Sequence, residues 1–371
     1  MNKKYKIIIS GGGTGGHIFP AVAIADEFKR RFSKIEILFV GAEGKMEMEK
    51  VPKAGYNIVG LPIVGLKRGF YLSNLFLPFK LLNSLMRARK ITRKFQPNLV
   101  IGVGGYASGP ILKMAQMLKI PTLIQEQNSF AGKTNKLLAS KAFKICVAYE
   151  NMNKFFPAEK IIETGNPVRQ NLKSDQETKK IAIDHFGLVD NKKTILIIGG
   201  SLGAKTLNDS MLHQLHEISQ HKDIQIVWQC GSRYYHEIKT KLENFNTENV
   251  KLLEFINDMN LAYNAADLVI SRAGALSVSE LCLLGKASIL VPSPNVAEDH
   301  QTTNARALVS KDAAMLMEDK KAKEYLIQIA IETVRDDNRI KELENNVKKM
   351  GRPNATVDIV NICLSILENE K

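Results

Sequence analysis

The chain has 371 residues, enough for two domains of ordinary size, and 44% apolar with 24% charged residues is typical of a globular protein. No apolar stretch approaches the roughly 20 residues of a spanning helix, and the N-terminal segment lacks a signal-peptide pattern, so we expect a cytosolic protein. The four cysteines are widely spaced among apolar neighbours, which argues against a disulfide framework or a cysteine metal site.

Charge is concentrated in the first half of the chain. The formal net charge is +14, and residues 1–165 hold 26 Lys and Arg against 10 Asp and Glu. Between Lys50 and Gln125 there are 12 basic residues and no acidic one. This segregation indicates a polyanionic partner for one domain, for which nucleic acid and an anionic membrane surface are the usual candidates.

Short apolar runs typical of buried parallel strands alternate with helix-type runs. In chain order the predicted strands are Ile7–Ser10, Ile35–Val40, Leu99–Val103, Thr122–Gln125 and Ile145–Ala148, with helices over Ala21–Phe32 and Pro110–Leu118. The alternation restarts at "KKTILIIGG" and continues through Ile224–Gln229, Lys251–Phe255, Leu268–Ser271 and Ala287–Val291. Two such series predict two α/β domains, each with a doubly wound parallel sheet.

The joint between the domains is expected near Gly165–Pro167, where the alternation is interrupted. We therefore expect domains over residues 1–166 and 167–352. A last helix, beginning after the Gly351–Pro353 break and running from Asn354 to Leu367, is expected to return to the first domain within a terminal segment of residues 353–371.

Three glycine-rich turns each lie between a predicted strand and a helix start: "GGGTGGH" (11–17), "GVGGYASGP" (102–110) and "GGSLGAKTLN" (199–208). Unpaired backbone N–H groups at a helix start favour an anion, and glycine lets the backbone approach it closely. The first turn fits G-x-G-x-x-G, but a dinucleotide enzyme also needs an acid at the end of the second strand, where Glu43 comes too late. A tight structural turn explains any one of them alone; three together favour a phosphate-bearing ligand between two Rossmann-like halves.

These turns, together with "QEQNSFAGKTN", "GNPVR" and "SRAGALSVSELCLLGKASILVPSP" followed by "DHQTTNA", come in an order that resembles the MurG family, the N-acetylglucosaminyltransferases of bacterial peptidoglycan synthesis. The resemblance spans nearly the whole chain. It implies a GT-B fold, in which two Rossmann-like doubly wound domains face each other across a cleft, and UDP-N-acetylglucosamine as donor. One departure is Gln125, where family members often have histidine.

The resemblance and the chemistry of the residues together suggest a donor site. Sugar transfer from UDP needs neutralisation of the leaving diphosphate, and without an Asp-x-Asp motif we expect no metal and no cofactor. Ser201 and Arg169 are candidates to bind the diphosphate, with Thr14, Gly15 and Gly16 facing it from the first domain. The resemblance places Glu280 on the ribose and Ile256 at the uracil, and Asn128 and Gln301 on the sugar. The residues it assigns to the nucleotide lining are Ala275, Leu276, Ser277, Val278, Ser279 and Glu280, while Gly104, Gly105 and Tyr106 form the acceptor-side turn.

The stretch from Ser277 to Glu280 also fits a capping box, S-x-x-E, which needs no ligand to explain it. His17 is the best candidate for the base that takes the proton of the acceptor hydroxyl, because it directly follows the glycines and imidazole titrates near neutral pH. Glu126 is the rival base, and a histidine bonded to the turn's own backbone is the alternative for His17. His213, His216 and His221 fit a solvated helix face better than a metal site.

The segment from Lys67 to Lys94 holds eight basic residues, no acid and a block of Leu and Phe. It fits an interfacial segment that docks on an anionic membrane, with Lys67, Arg68, Phe76 and Phe79 facing the lipid. A core-packed helix with a basic end is the alternative. A nucleic-acid partner is disfavoured, since no recognised module is present.

The sequence therefore predicts a peripheral enzyme on the cytoplasmic face of the membrane. The resemblance implies that it transfers N-acetylglucosamine to the 4-hydroxyl of a polyprenyl-pyrophosphate-linked muramoyl-pentapeptide with inversion, and that other cell-wall synthesis proteins are candidate partners. A related glycosyltransferase making a membrane glycolipid, an inactive nucleotide-sugar-binding scaffold and a dehydrogenase are the alternatives.

Overall fold

The computed structural model describes residues 5–63, 77–168, 172–200, 202–245 and 247–369. The chain forms two compact units. The first comprises residues 1–170 and 352–371, and the second comprises residues 171–351. Each unit is built on its own sheet, and every strand pairing in both sheets is parallel.

The first unit contains a seven-stranded sheet in the order β3-β2-β1-β4-β5-β6-β7. Its strands are β1 (Lys6–Ser10), β2 (Glu36–Ala42), β3 (Asn57–Leu61), β4 (Leu99–Gly102), β5 (Thr122–Glu126), β6 (Lys144–Val147) and β7 (Ile161–Glu163). Its helices are α1 (Gly15–Arg31), α2 (Glu47–Lys53), α3 (Leu77–Phe95), α4 (Ser108–Met117), α5 (Lys133–Leu138) and, from the end of the chain, α15 (Ala355–Asn369).

Helices cover both faces of this sheet, which is why its central strands are almost continuously apolar. In β1, Ile7 and Ile9 belong to one core with α1 and α15, while Ile8 belongs to the opposite core with α4. All three isoleucines are fully buried. Alternate side chains of a strand point to opposite faces, so a strand buried on both sides reads as a continuous apolar run.

The second unit contains a six-stranded sheet in the order β10-β9-β8-β11-β12-β13. Its strands are β8 (Lys193–Ile198), β9 (Ile224–Gln229), β10 (Val250–Leu253), β11 (Leu268–Ser271), β12 (Ser288–Leu290) and β13 (Met315–Leu316). Its helices are α6 (Gln176–Phe186), α7 (Lys205–His213), α8 (Leu215–Gln220), α9 (Tyr235–Leu242), α10 (Met259–Ala265), α11 (Ala275–Leu284), α12 (His300–Val309), α13 (Asp319–Arg335) and α14 (Asp337–Lys349).

The terminal helix α15 packs on α1 in the first unit. Ile359, Cys363 and Ile366 are fully buried in the core that also holds Phe28 of α1. At the surface, the guanidinium of Arg31 donates to the Asn361 side-chain oxygen at 2.6 Å.

The prediction of two doubly wound parallel sheets is confirmed, and each predicted strand is present to within two residues. Three edge or near-edge strands, β3, β7 and β13, were not predicted. Helix α1 begins at Gly15, six residues earlier than predicted, and includes Pro20.

Both sheets reverse their strand order beside their first strand, between β1 and β4 in the first unit and between β8 and β11 in the second. Ligands of open α/β sheets bind at the carboxyl ends of the strands at such a switch point. The three glycine turns follow β1, β4 and β8, and the segment from Arg272 to Glu280 follows β11. The topology therefore places all the strand-to-helix turns of interest at the switch points of their own sheets.

Candidate functional site

The turn after β1 leads directly into the N-terminus of α1. Thr14 is the N-cap residue, with an extended backbone (φ −148°) and no capping bond from its own side chain, and the first turn of α1 carries no acidic residue. The helix N-terminus is therefore left open to an anionic group from outside the chain. Thr14 is exposed, and Gly15 and Gly16 are half-buried.

His17 lies in the first turn of α1, and its ring folds back onto the glycine turn. Its Nδ1 lies 3.0 Å from the Gly12 carbonyl oxygen and 3.2 Å from Thr14 Oγ1. A carbonyl oxygen only accepts, so Nδ1 carries the proton in this bond and the neutral ring has its lone pair on Nε2. A hydrogen bond to the turn's own backbone was the alternative explanation for His17. The same bond also holds the tautomer that a base needs.

The second glycine turn packs against the first. Gly104 and Gly105 have φ values of +94° and +82°. A β-carbon on Gly104 would lie 2.9 Å from His17 Nε2, and one on Gly105 would lie 2.4 Å from the Gly12 carbonyl oxygen. Both positions therefore require glycine, for backbone conformation and for space. Tyr106, next in the chain, is half exposed.

Glu47, the first residue of α2, supports the first glycine turn from behind. Its side chain is fully buried. One carboxylate oxygen accepts from the Ala42 N–H at 3.0 Å and the other from the Gly13 N–H at 2.9 Å. A β-carbon on Gly12 would lie 2.1 Å from the carboxylate, so Gly12 is glycine to make room for Glu47.

Sequence reasoning missed Glu47, although the signal was present in the acid-rich stretch after β2. The acid that the dinucleotide pattern indicates is Glu43, which is half exposed and pairs with Arg87 at 2.7 Å. The acid that matters at the end of β2 is turned into the glycine turn itself.

Glu126, at the end of β5, is also almost fully buried. Its Oε1 accepts from the backbone and side-chain N–H groups of Asn128, at 3.1 and 3.3 Å. Its Oε2 accepts from the Gly132 N–H and the Asn135 side chain, both at 2.9 Å. Four donors converge on this carboxylate, which orders the segment from Asn128 to Asn135.

Behind this segment lies a cluster of buried amides. Gln125 donates to the Asn166 side-chain oxygen at 2.9 Å, and Asn166 donates to the Gln127 carbonyl at 3.0 Å. Gln127 donates to the Val103 carbonyl oxygen at 2.7 Å. Members of the family that the sequence resembles often carry histidine at position 125. Here the glutamine side chain is part of this internal cluster.

In the second unit, the glycine turn after β8 is shaped by close backbone contact. A β-carbon on Gly203 would lie 2.2 Å from the Cys230 carbonyl oxygen, and one on Gly231 would lie 2.1 Å from the Gly203 nitrogen. Gln229 holds the turn through both ends of its amide, accepting from the Gly200 N–H at 3.0 Å and donating to the Gly200 carbonyl at 2.8 Å.

The capping-box interpretation of Ser277 and Glu280 is wrong. Helix α11 begins at Ala275, and its N-cap is Gly274, with no side-chain cap and no acid in the first turn. Ser277 therefore lies inside the helix. Ala275 and Val278 are buried, Leu276 and Ser277 are half-buried, and the Ser279 hydroxyl donates back to the Ala275 carbonyl at 2.9 Å. The start of α11, like that of α1, is thus a helix N-terminus that no side chain caps.

Glu280 is largely buried on α11 and faces α10. The Tyr263 hydroxyl, itself almost fully buried, donates to Glu280 Oε2 at 2.9 Å. This bond fixes the direction of the carboxylate.

Gln301, at the start of α12, accepts from the Ser293 N–H at 2.9 Å through its side-chain oxygen. Ile256 is buried beside the exposed ring of Phe255.

Five predicted site residues, Lys67, Arg68, Phe76, Arg169 and Ser201, lie outside the described residues. Phe79 is described and is 72% exposed on α3.

Of the three histidines considered for a metal, His221 pairs with Arg335 at 3.0 Å. In the described ranges, no group of three His, Cys, Asp or Glu side chains is arranged to hold a metal ion. None of the helices in the same ranges is long and apolar enough to cross a membrane.

Comparison with known proteins assigns both units to one family. Residues 7–147 match the glycosyltransferase family 28 N-terminal domain, and residues 194–359 match its C-terminal domain. Two curated relatives are each named UDP-N-acetylglucosamine–N-acetylmuramyl-(pentapeptide) pyrophosphoryl-undecaprenol N-acetylglucosamine transferase. The one from Parabacteroides distasonis is 54% identical, covering 99% of this chain and all of its own, and the one from Bacteroides thetaiotaomicron is 53% identical over the full length of both.

Among solved structures, MurG of Acinetobacter baumannii has a TM-score of 0.78 at 30% identity, covering 96% of this chain and 99% of its own. A UDP-N-acetylglucosamine 2-epimerase from Neisseria meningitidis has a TM-score of 0.65 at 18% identity, covering 98% of this chain and all of its own, a likeness of fold alone. With two parallel-sheet units and both family 28 domains, the chain has the GT-B fold. It belongs to glycosyltransferase family 28 and, within it, to the MurG N-acetylglucosaminyltransferases.

Proposed function

We propose that this protein transfers N-acetylglucosamine from UDP-N-acetylglucosamine to the 4-hydroxyl of undecaprenyl-pyrophosphoryl-N-acetylmuramoyl-pentapeptide, converting lipid I to lipid II. The observation that carries the proposal is the identity of 53–54% along whole chains with relatives named for this transfer. The glycine turns at both switch points are consistent with it, since each can face a phosphate or a sugar.

The donor nucleotide is proposed to bind the second unit at the start of α11. The uncapped N-terminus after Gly274 suits an anionic or polar ligand group, and Glu280 is already aimed by Tyr263 to accept the ribose hydroxyls. We assign the uracil to Ile256 and the sugar to Gln301 and Asn128. Ser201 and Arg169 are proposed to stabilise the leaving diphosphate by charge-assisted hydrogen bonds, without a metal.

We propose His17 rather than Glu126 as the base. The tautomer held by Gly12 leaves the His17 lone pair on Nε2, the nitrogen that faces the second glycine turn. Glu126, by contrast, is buried, and both of its carboxylate oxygens are already occupied by hydrogen bonds from four donors of the segment that it orders. Transfer then proceeds with inversion: the acceptor oxygen bonds to the anomeric carbon, its proton passes to Nε2, and the anomeric carbon–oxygen bond breaks with its electrons leaving on UDP.

Helix α3 supports the proposal of a peripheral protein on an anionic membrane. Phe79, Leu82 and Met86, spaced to lie on one face, are 72%, 57% and 59% exposed. The opposite face is buried through Ser84, Ala88 and Thr92. The helix is thus core-packed on one side and apolar on its outer side. Its exposed basic residues are Lys80, Arg87, Arg89, Lys90, Arg93 and Lys94. An apolar face next to lysines and arginines fits insertion among anionic headgroups.

The function is tested by incubating the full-length protein with radiolabelled UDP-N-acetylglucosamine and a synthetic short-chain lipid I. A diacylglycerol acceptor serves as the competing substrate. Transfer of label to the lipid I analogue with the β-linkage is the expected result. Label that passes only to diacylglycerol would identify a glycolipid synthase instead, and no transfer to either would contradict the proposal.

The membrane contact is tested by flotation with vesicles containing phosphatidylglycerol. A variant with Phe79→Ala, Leu82→Ala and Met86→Ala is expected to stay in the dense fraction while retaining transfer to a short-chain soluble acceptor. A matched control replaces Phe245 and Tyr325, two half-exposed aromatics of the second unit, and is expected to float like the unmodified protein. Equal flotation of all three proteins would exclude the α3 surface.

A further inference from the structure

One peptide group of the first glycine turn, between Gly12 and Gly13, connects Glu47 to His17. The N–H of Gly13, which donates to the Glu47 carboxylate at 2.9 Å, belongs to the same peptide as the Gly12 carbonyl. That carbonyl accepts from His17 Nδ1 at 3.0 Å. Carboxylate, peptide and imidazole are therefore joined in series by two hydrogen bonds.

A peptide held in this way is polarised from one end. A carboxylate that accepts from the N–H increases the negative charge on the carbonyl oxygen, because hydrogen bonds in a chain strengthen one another. A more negative carbonyl is a better acceptor for Nδ1–H and favours the positively charged imidazolium over the neutral ring. The charge of Glu47 thus acts on His17 although the two side chains do not touch.

We propose that Glu47 is a positioning residue for the transfer, holding the proton of His17 on Nδ1 through the Gly12–Gly13 peptide and stabilising the imidazolium that forms when Nε2 takes the acceptor proton. This inference rests on the proposed role of His17 as base. The proton passes from the acceptor hydroxyl to Nε2, Nδ1–H stays in place, and no proton passes to Glu47.

The surroundings of Glu47 favour a carboxylate over an amide. Both hydrogen-bond partners, the Ala42 and Gly13 N–H groups, are donors, so each side-chain oxygen must accept. Glutamine has one acceptor oxygen, and its amide nitrogen would face an N–H. A β-carbon on Gly41 would also lie 2.6 Å from Glu47 Cγ, so two glycines, at positions 12 and 41, leave room for this side chain.

The groups that face His17 include the Gly12 carbonyl, the Thr14 hydroxyl and the backbone of Gly104. The Gln127 amide oxygen lies 3.6 Å from the β-carbon position of Gly104, on the same side as the ring. The exposed phenol of Tyr106 lies near Gly13, whose β-carbon position is 3.9 Å from its ring. Glu47 is the buried acid that two hydrogen bonds and one peptide connect to this ring.

The test is the pH dependence of kcat/KM for Glu47→Gln, measured with a short-chain acceptor. Loss of the charge makes the imidazolium less stable, so the acidic limb is expected to move to lower pH by about half a unit to one unit. At neutral pH kcat is expected to fall roughly 10- to 100-fold, because a weaker and less oriented base removes the proton. KM for UDP-N-acetylglucosamine is expected to stay within about twofold.

The matched control is Glu27→Gln. Glu27 is likewise buried, on α1 of the same unit, and its carboxylate is bound by Arg30 and Arg31. Its loss is expected to lower stability without moving the acidic limb. An unmoved limb in Glu47→Gln, with a loss of rate like that of the control, would overturn the positioning role.

Two further measurements separate this inference from the proposed function. In a His17→Ala background, Glu47→Gln is expected to cause no additional loss of kcat; the same loss in both backgrounds would overturn the inference. Side-chain ¹⁵N NMR of the unmodified protein is expected to show His17 with its proton on Nδ1, and a proton on Nε2 would also overturn it. If His17→Ala retained full activity while NMR showed Nδ1–H, the proposed base and with it the positioning role of Glu47 in the transfer would fail, although the transfer reaction itself would stand.

Discussion

The backbone of Gly105 rests on the carbonyl of Gly12: a β-carbon at position 105 would lie 2.4 Å from that oxygen. The two glycine turns of the first unit are therefore packed together at the carbonyl that orients His17. Any displacement of one turn is transmitted to the imidazole.

We predict that Gly105→Ala lowers kcat by about 100-fold, because moving the Gly12 carbonyl misplaces the imidazole by a fraction of an ångström or more. Gly55→Ala is the matched control: Gly55 has φ +81°, close to the +82° of Gly105, but no atom lies within 4 Å of its β-carbon position. Gly55→Ala is expected to lose about 1 kcal/mol of stability from backbone strain, and Gly105→Ala to lose more, because its β-carbon also clashes with the Gly12 backbone. Equal kcat values for the two, measured by label transfer, would contradict the prediction.

Removal of the Tyr263 hydroxyl is predicted to weaken donor binding. In Tyr263→Phe, Glu280 loses a donor that holds its carboxylate, and KM for UDP-N-acetylglucosamine is expected to rise roughly 3- to 10-fold with little change in kcat. Tyr325→Phe, at a half-exposed position of the same unit, serves as control. If KM and the binding of UDP measured by calorimetry were both unchanged, the proposed contact between Glu280 and the nucleotide would be contradicted.

His17 and Glu126 are predicted to differ in what their loss damages. Glu126→Ala leaves four donors, one of them buried and three partly buried, without their acceptor, and we expect it to lose roughly 3 kcal/mol of stability, read from the urea unfolding midpoint. His17→Ala is expected to unfold like the unmodified protein and to lose about 100- to 1,000-fold in kcat. A stable Glu126→Ala protein that has lost its activity would instead assign the base to Glu126.

Acid is predicted to remove one stabilising ion pair in the second unit. The Arg339 guanidinium donates to both oxygens of Asp312 at 2.7 Å and holds the pKa of that carboxyl below its ordinary value. A lowered folded-state pKa adds stability above the ordinary aspartate pKa, and that contribution is lost as pH falls through the folded value. Asp312→Asn is therefore expected to be less stable than the unmodified protein at pH 7 and equal to it near pH 2. The difference is small, since the pair is partly exposed.

Urea midpoints at the two pH values measure this difference. Asparagine also tolerates the positive φ of +49° at position 312, so the substitution tests charge rather than backbone. The exposed Asp190→Asn is a control for general effects of charge. A stability gap for Asp312→Asn that persisted at low pH would show that the ion pair is not its source.

The sheets could be predicted because their strands are buried on both faces. Runs such as Ile7–Ser10 carry that burial in their composition. The missed strands carry less of it: β7 and β13 have three and two residues, and β3 contains Gly60 and exposes alternate side chains. The start of α1 was hidden by Gly15, Gly16 and Pro20, residues that local preference assigns to turns.

The glycine turns of the candidate site could be predicted from the sequence. The residues that hold these turns and Glu280 in place, Glu47 and Tyr263, could not. Glycines followed by a histidine in a strand-to-helix turn mark themselves by composition. Glu47 acts across 34 residues of sequence on Gly13, and Tyr263 acts across 17 on Glu280. Such contacts depend on which elements the sheet brings together. The start of α11 was misplaced for a related reason, since Gly274 forms the cap without any side chain.

The packing of α15 on α1 sets an order of events during synthesis. Ile359, Cys363 and Ile366 of α15 complete a core whose other buried members outside that helix lie between Tyr5 and Cys146. On the ribosome, the second sheet and its helices emerge in full before these side chains do. The part of α1 that contacts α15 therefore stays uncovered in the nascent chain until α15 has been synthesised and has emerged.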